Sequence, residues 1–136
     1  MTDANTLNRH PLPLARLMGI QFREAGRERV VAEMTVRDDL CTAGERVHGG
    51  ALMALADTAA ATGTAMSLPD GATGTTTIES KTNFLGGAAL GTNLVAIATP
   101  IHRGRQTQVW QTRIETEAGK LVAVVAQTQM VLYPKP

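Results

Sequence analysis

Residues 47–63 read VHGGALMALADTAAATG, and from Val47 to Pro69 the chain carries a single formal charge, Asp57. The length of this run favours one helix from about Gly49 to Ser67, stopped by Pro69-Asp70-Gly71. Ala and Leu extend nearly all round it, so both of its sides must be covered. A membrane is a poor cover, because a central Asp costs about 2.5–3.5 kcal/mol on insertion. A sheet on one side and a second copy of the chain on the other is the alternative that satisfies the helix.

The remaining sequence supplies that sheet. Residues 28–39, ERVVAEMTVRDD, put Val30, Ala32, Met34 and Val36 on one face, which is strand periodicity closed by Asp38-Asp39. After the long helix come four extended runs at 73–85, 90–103, 107–117 and 120–133. Turns are expected at Gly86-Gly87, Arg103-Gly104-Arg105 and Ala118-Gly119. The order implies an α+β fold in which consecutive antiparallel strands pack on one helix. A short helix over LPLARLMGI (12–20) ends at Gly19, and residues 1–11 read as a loose, polar segment before a single domain over 12–136.

With 136 residues there is room for one core. Thirteen Lys and Arg balance twelve Asp and Glu, which argues against a nucleic-acid or acidic-membrane partner. Only four aromatic residues are present, too few for base-stacking platforms. The lone Cys41 forms no internal disulfide, and residues 1–13 lack the features of a signal peptide, so a cytoplasmic location is expected. His10, His48 and His102 lack metal-ligand spacing, and neither a nucleophile elbow nor a phosphate-cradling Gly loop is found. Met18, Met34, Met53, Met66 and Met130 read as core filler, some of them able to line an apolar tunnel.

Chemistry then rests on the helix itself. Gly49 and Asp57 stand eight residues apart, or about 12 Å along the axis, so one helix cannot bring both to one carbonyl. Two antiparallel copies can, with the amino end of one beside the middle of the other. The backbone N–H groups of Gly49 and Gly50 are expected to be free donors at a helix start, suited to an oxygen gaining negative charge. Asp57 in an apolar wall is the candidate base or nucleophile. Taken singly, an Asp in such a helix is more often solvated and an HGG more often a plain turn; the spacing joins them.

At VHGGALMALAD the chain resembles the hotdog-fold acyl-CoA thioesterases of the phenylacetate-pathway and hydroxybenzoyl-CoA type, over about residues 12–133. The strand TTTIESKTNFLGGA and the later HRGRQTQVWQTRIE carry the same likeness. The resemblance implies a sheet wrapped around the helix, a homodimer often paired into a tetramer, coenzyme A lying across the interface, and no metal or other cofactor. It implies Asp57 as the catalytic carboxylate, Gly49 as the donor to the thioester carbonyl, His48 as a polar helper and Thr77 as the residue that positions water. The family often has Asn or Gln, then Gly three residues on, where this chain has Thr42 and Glu45, with Gly44 displaced by one. Coenzyme A phosphates need cations, for which Arg103 and Arg105 around Gly104 are the candidates, with Lys81 beyond them. Thr75, within Thr73 to Thr76, is placed to line the pantetheine path. An acyl-CoA sensor with a pocket but no turnover, and a hydratase or dehydratase on the same fold, remain alternatives to hydrolysis.

Overall fold

The computed structural model describes residues 2–136. Its centre is α3 (Gly49–Ala65), and its sheet has six antiparallel strands. These are β1 (Gln21–Ala25), β2 (Val30–Thr35), β5 (Gly74–Phe84), β6 (Asn93–Arg103), β7 (Thr107–Thr116) and β8 (Leu121–Leu132), in the spatial order β1-β2-β6-β7-β8-β5. The sheet curls round one side of α3, whose Leu52, Leu55, Ala56, Ala59, Ala60 and Gly63 are buried. The α+β architecture with one sheet wrapped on one long helix is therefore as the sequence implies.

The four late strands lie within a residue or three of their expected limits, and Val30, Ala32, Met34 and Val36 are all fully buried. Their order is not consecutive. β5 pairs with β8, not with β6, so residues 85–92 carry the chain from one edge across to the strand that pairs with β2. Chain direction alone does not reveal this, because each strand has a buried face whichever neighbour it takes.

Glycine decides one position on which the core depends. A Cβ built on Gly63 would lie 2.5 Å from Trp110 Cη2 and Cζ3, so α3 meets β7 closely because this residue has no side chain.

Residues 1–11, expected to be loose, instead contain α1 (Ala4–Arg9), capped by Asp3 accepting from the Thr6 N–H at 2.8 Å. α2 (Pro13–Met18) follows, with Gly19 in the left-handed conformation as its end, as expected. β1 was not anticipated, because QFREA has a single buried residue, Phe22, and too little alternation to show. Asn8 docks α1 onto this edge strand: its Nδ2 donates to the Phe22 carbonyl at 2.8 Å and its Oδ1 accepts from the Phe22 N–H at 2.7 Å. One side chain thus occupies the ladder position of an absent neighbouring strand. Asn8→Ala is expected to cost about 1–3 kcal/mol and to speed amide exchange at Phe22; unchanged exchange there would show that α1 is held by other contacts.

Candidate active site

Asp57 sits half-buried on α3 where the helix passes β5 and β8. Its Oδ1 accepts two hydrogen bonds, from Thr77 Oγ1 on β5 at 2.7 Å and from Gln127 Nε2 on β8 at 2.8 Å. Gln129 Nε2 donates to the same Thr77 hydroxyl at 2.8 Å, and Gln129 Oε1 accepts from Thr75 Oγ1 at 3.3 Å. Among the described residues Oδ2 has no hydrogen-bond donor. A carboxylate held by one oxygen and open at the other is fixed in orientation yet able to take a proton.

A bulge brings Thr77 to this position. Thr75 and Thr77 pair with Val131 and Gln129, but the register then shifts, so Ser80, Thr82 and Phe84 pair with Gln127, Val125 and Ala123. The extra residue, Ile78, is 53% exposed. Unbroken alternation would put Glu79 and Lys81 on the helix-facing side; the bulge turns them out and keeps hydroxyls facing α3. Lys81 therefore lies on the sheet face opposite Asp57.

At the helix start, His48 is the N-cap: its Nδ1 accepts from the Gly50 N–H at 2.8 Å. Gly50 is thus not the free donor that the sequence suggested, because the preceding imidazole folds back onto it. The Gly49 N–H has no acceptor among the described residues and remains the open donor at the positive end of the helix. His48 serves that donor by shaping the cap.

Thr42 is exposed in the two-residue strand β3 (Cys41–Thr42), which pairs with β4 (Arg46–Val47). In the turn between them Gly44 and Glu45 both have positive φ, 74° and 55°. Glu45 thus adopts the left-handed backbone that glycine would supply in the resembled pattern, and the loop keeps its path at some steric cost. Cys41 is a poor nucleophile: loss of solvent raises its thiol above the ordinary value, and Asp38, Glu45 and Asp39 push the same way.

A groove of about 870 Å³ opens beside Asp57 and runs along Thr58, Ala61, Thr62 and Ala65 towards Leu7 and Leu14 of the N-terminal helices. Thr75 lines it too, although its one hydroxyl proton is shared between the Met130 carbonyl at 2.9 Å and Gln129 Oε1 at 3.3 Å. A second hollow of about 530 Å³ is bordered by Arg27, Arg103, Gly104 and Arg105. Here Arg103 is engaged within the chain, donating to the Arg27 carbonyl at 2.7 Å and to Glu28 Oε1 at 2.8 Å. The side chains of Arg27 and Arg105 make no ion pair among the described residues, so they are the cations free to meet an anion.

Sequence reasoning missed Gln127, Gln129 and Arg27. The two glutamines had a signal: they stand at i and i+2 in the inward register of Ala123, Val125 and Val131, where side chains are otherwise apolar. Arg27 had none, since only the packing of the β1–β2 turn against residues 103–105 makes it relevant.

Comparison with known proteins identifies the family and the fold. A family model described as the Thioesterase superfamily matches residues 44–123. The chain is similar to 1,4-dihydroxy-2-naphthoyl-CoA hydrolase of Listeria monocytogenes, 30% identical over 82% of this chain and 89% of the relative. Among solved structures, thioesterase HI1161 of Haemophilus influenzae superposes with a TM-score of 0.89 at 29% identity, covering 98% of this chain and 92% of that one. The Escherichia coli PaaI protein from the phenylacetic acid degradation operon superposes with a TM-score of 0.84 at 25% identity, covering 95% and 91%.

Proposed function

Because this chain belongs to the thioesterase superfamily, we propose that it hydrolyses acyl-CoA thioesters at a site completed by a second copy of itself. The observation that carries this reading is Asp57, held through Oδ1 and open at Oδ2 beside an apolar groove. In the proposed reaction, water attacks the thioester carbonyl carbon while Asp57 Oδ2 removes its proton. The carbonyl oxygen gains charge and is held by the Gly49 N–H of the second copy. The C–S bond then breaks, the proton on Asp57 passes to the leaving sulfur, and the products are a carboxylic acid and the CoA thiol. The same geometry serves direct attack by Oδ2, which expels the CoA thiolate and leaves a mixed anhydride; where water opens that anhydride at the Asp57 carboxyl carbon, single turnover in water labelled with heavy oxygen leaves the label in Asp57, which the water-attack route never does.

The second copy has structural support. The face of α3 turned from the sheet carries Gly50, Met53, Ala54, Thr58, Ala61, Thr62 and Ala65, all exposed or half-buried, with Asp57 at its border with the sheet. Thr58 and Thr62 bond back to the carbonyls of Ala54 and Thr58 at 2.8 and 2.7 Å, so this stripe presents small, satisfied side chains suited to close helix contact. Running antiparallel, two such stripes place Gly49 of one helix near Asp57 of the other.

A thiol-release assay over short, medium and aryl acyl-CoAs tests the activity. Release from at least one of them is expected. Enoyl hydration without release would favour the hydratase alternative, and binding without any turnover the sensor. For the CoA moiety, Arg105→Ala is expected to raise KM for a CoA ester about tenfold by loss of a charged hydrogen bond. KM for a truncated thioester lacking the nucleotide phosphates should stay as in the parent. An equal rise for both substrates would remove Arg105 from phosphate binding.

A further inference from the structure

The side chain of Gln127 poses a question that the reaction above does not answer. It is 1% exposed, its Nε2 donates to Asp57 Oδ1 at 2.8 Å, and its Oε1 is buried with no donor among the described residues. Its orientation is set by chemistry: turned over, the amide would put Oε1 against a carboxylate oxygen, two acceptors face to face. Its neighbour Gln129, two residues on and on the same face, has partners at both ends.

A buried acceptor without a donor opposes folding, and an apolar side chain of similar length would fill the same space without that cost. The amide is therefore explained by its other end. Thr77 alone would tether Asp57 through one hydrogen bond, about which the carboxylate can still swing. A second donor on the same oxygen, from a different strand, fixes the plane of the carboxylate and decides which oxygen faces the groove.

We infer that Gln127 is a positioning residue for thioester hydrolysis: by clamping Oδ1 together with Thr77 it presents Oδ2 of Asp57 to the reacting water. The inference rests on the proposed function, since it concerns the same carboxylate. It distinguishes two roles on one strand, in which Gln129 supports the Thr77 hydroxyl and Gln127 acts on Asp57 directly.

Gln127→Met tests it, because methionine keeps the length and removes both donor and orphan acceptor. kcat for thiol release is expected to fall about 10- to 100-fold from misplacement of the base, with KM within about twofold of the parent and Tm unchanged or raised. Gln127→Glu, of the same shape but with an acceptor in place of the donor, should lose at least as much kcat. A Gln127→Met protein that keeps the parental kcat overturns the assignment, as does one that loses Tm, kcat and substrate affinity together in the manner of a packing residue. If the parent itself releases no thiol from any ester, the proposed function fails and takes this inference with it; an active parent with an equally active methionine variant overturns only the role of Gln127.

Discussion

Asp57→Asn is expected to lower kcat for thiol release by about three orders of magnitude while leaving the fold intact. Asparagine matches aspartate in shape, and its carbonyl oxygen still accepts from Thr77 Oγ1 and Gln127 Nε2, which hold Oδ1 at 2.7 and 2.8 Å. What disappears is the open oxygen that takes the proton. Asp57→Ala is a less clean variant, since it also strands both donors beside a small cavity and adds a stability cost of its own. Thermal unfolding of the Asn variant separates the two effects: a parental Tm with activity lost places the residue in the chemistry. Full thiol release from the Asn variant would remove Asp57 from the reaction, whatever the fold.

A large effect on stability is expected elsewhere on the same helix, at Gly63. Helix propensity favours alanine over glycine by about 0.5–1 kcal/mol, so Gly63→Ala in the interior of α3 should on that ground alone stabilise the protein. Packing opposes it. The new Cβ would lie 2.5 Å from two atoms of the Trp110 ring and 2.9 Å from a third. Trp110 cannot yield cheaply: it is fully buried, its indole N–H donates to Gln108 Oε1 at 2.9 Å, and Gln108 Nε2 donates to the Ser67 carbonyl beyond the helix end at 3.0 Å. Overpacking costs about 1–3 kcal/mol, and approaches of 2.5 Å to a ring held this firmly belong at the upper end, so packing outweighs the propensity gain by about 2 kcal/mol. Tm should therefore fall by about 4–8 °C, and a rise would show that α3 shifts away from β7 without loss.

The long helix and the limits of four strands were legible because hydrophobic period and turn residues fix them locally. Asp57 was legible for a related reason: one charge in an otherwise uncharged run stands out without knowledge of its neighbours. What the chain order hid was lateral. The pairing of β5 with β8, the bulge at Ile78 and the hydrogen bond from Gln127 to a residue 70 positions away depend on which strands lie side by side. α1 escaped notice because only Ala4 and Leu7 pack, partly buried, on the core and its polar anchor is one asparagine bonded to backbone, which leaves too little hydrophobic period to read. His48 shows a third kind of limit: its Nδ1 caps the Gly50 N–H, a role set by local backbone geometry and not marked by residue type.

Hydrolysis as proposed needs Gly49 of one copy beside Asp57 of another, and complementation tests that pairing directly. Gly49→Pro removes the open N–H at the first helical position, where proline is well tolerated. His48 at φ −70° and ψ 135° already has the conformation that a residue before proline requires. The Cβ it adds meets the Phe84 ring, 3.0 Å away at its nearest atom, and that ring is 54% exposed and free to move. Gly49→Pro and Asp57→Asn proteins, each inactive alone, are mixed, unfolded and refolded together. A shared site predicts recovery of about a quarter of parental thiol release, because random pairing makes half the dimers mixed and each mixed dimer holds one intact site. No recovery, in a mixture shown to contain mixed dimers, would mean that Gly49 and Asp57 do not serve one bond.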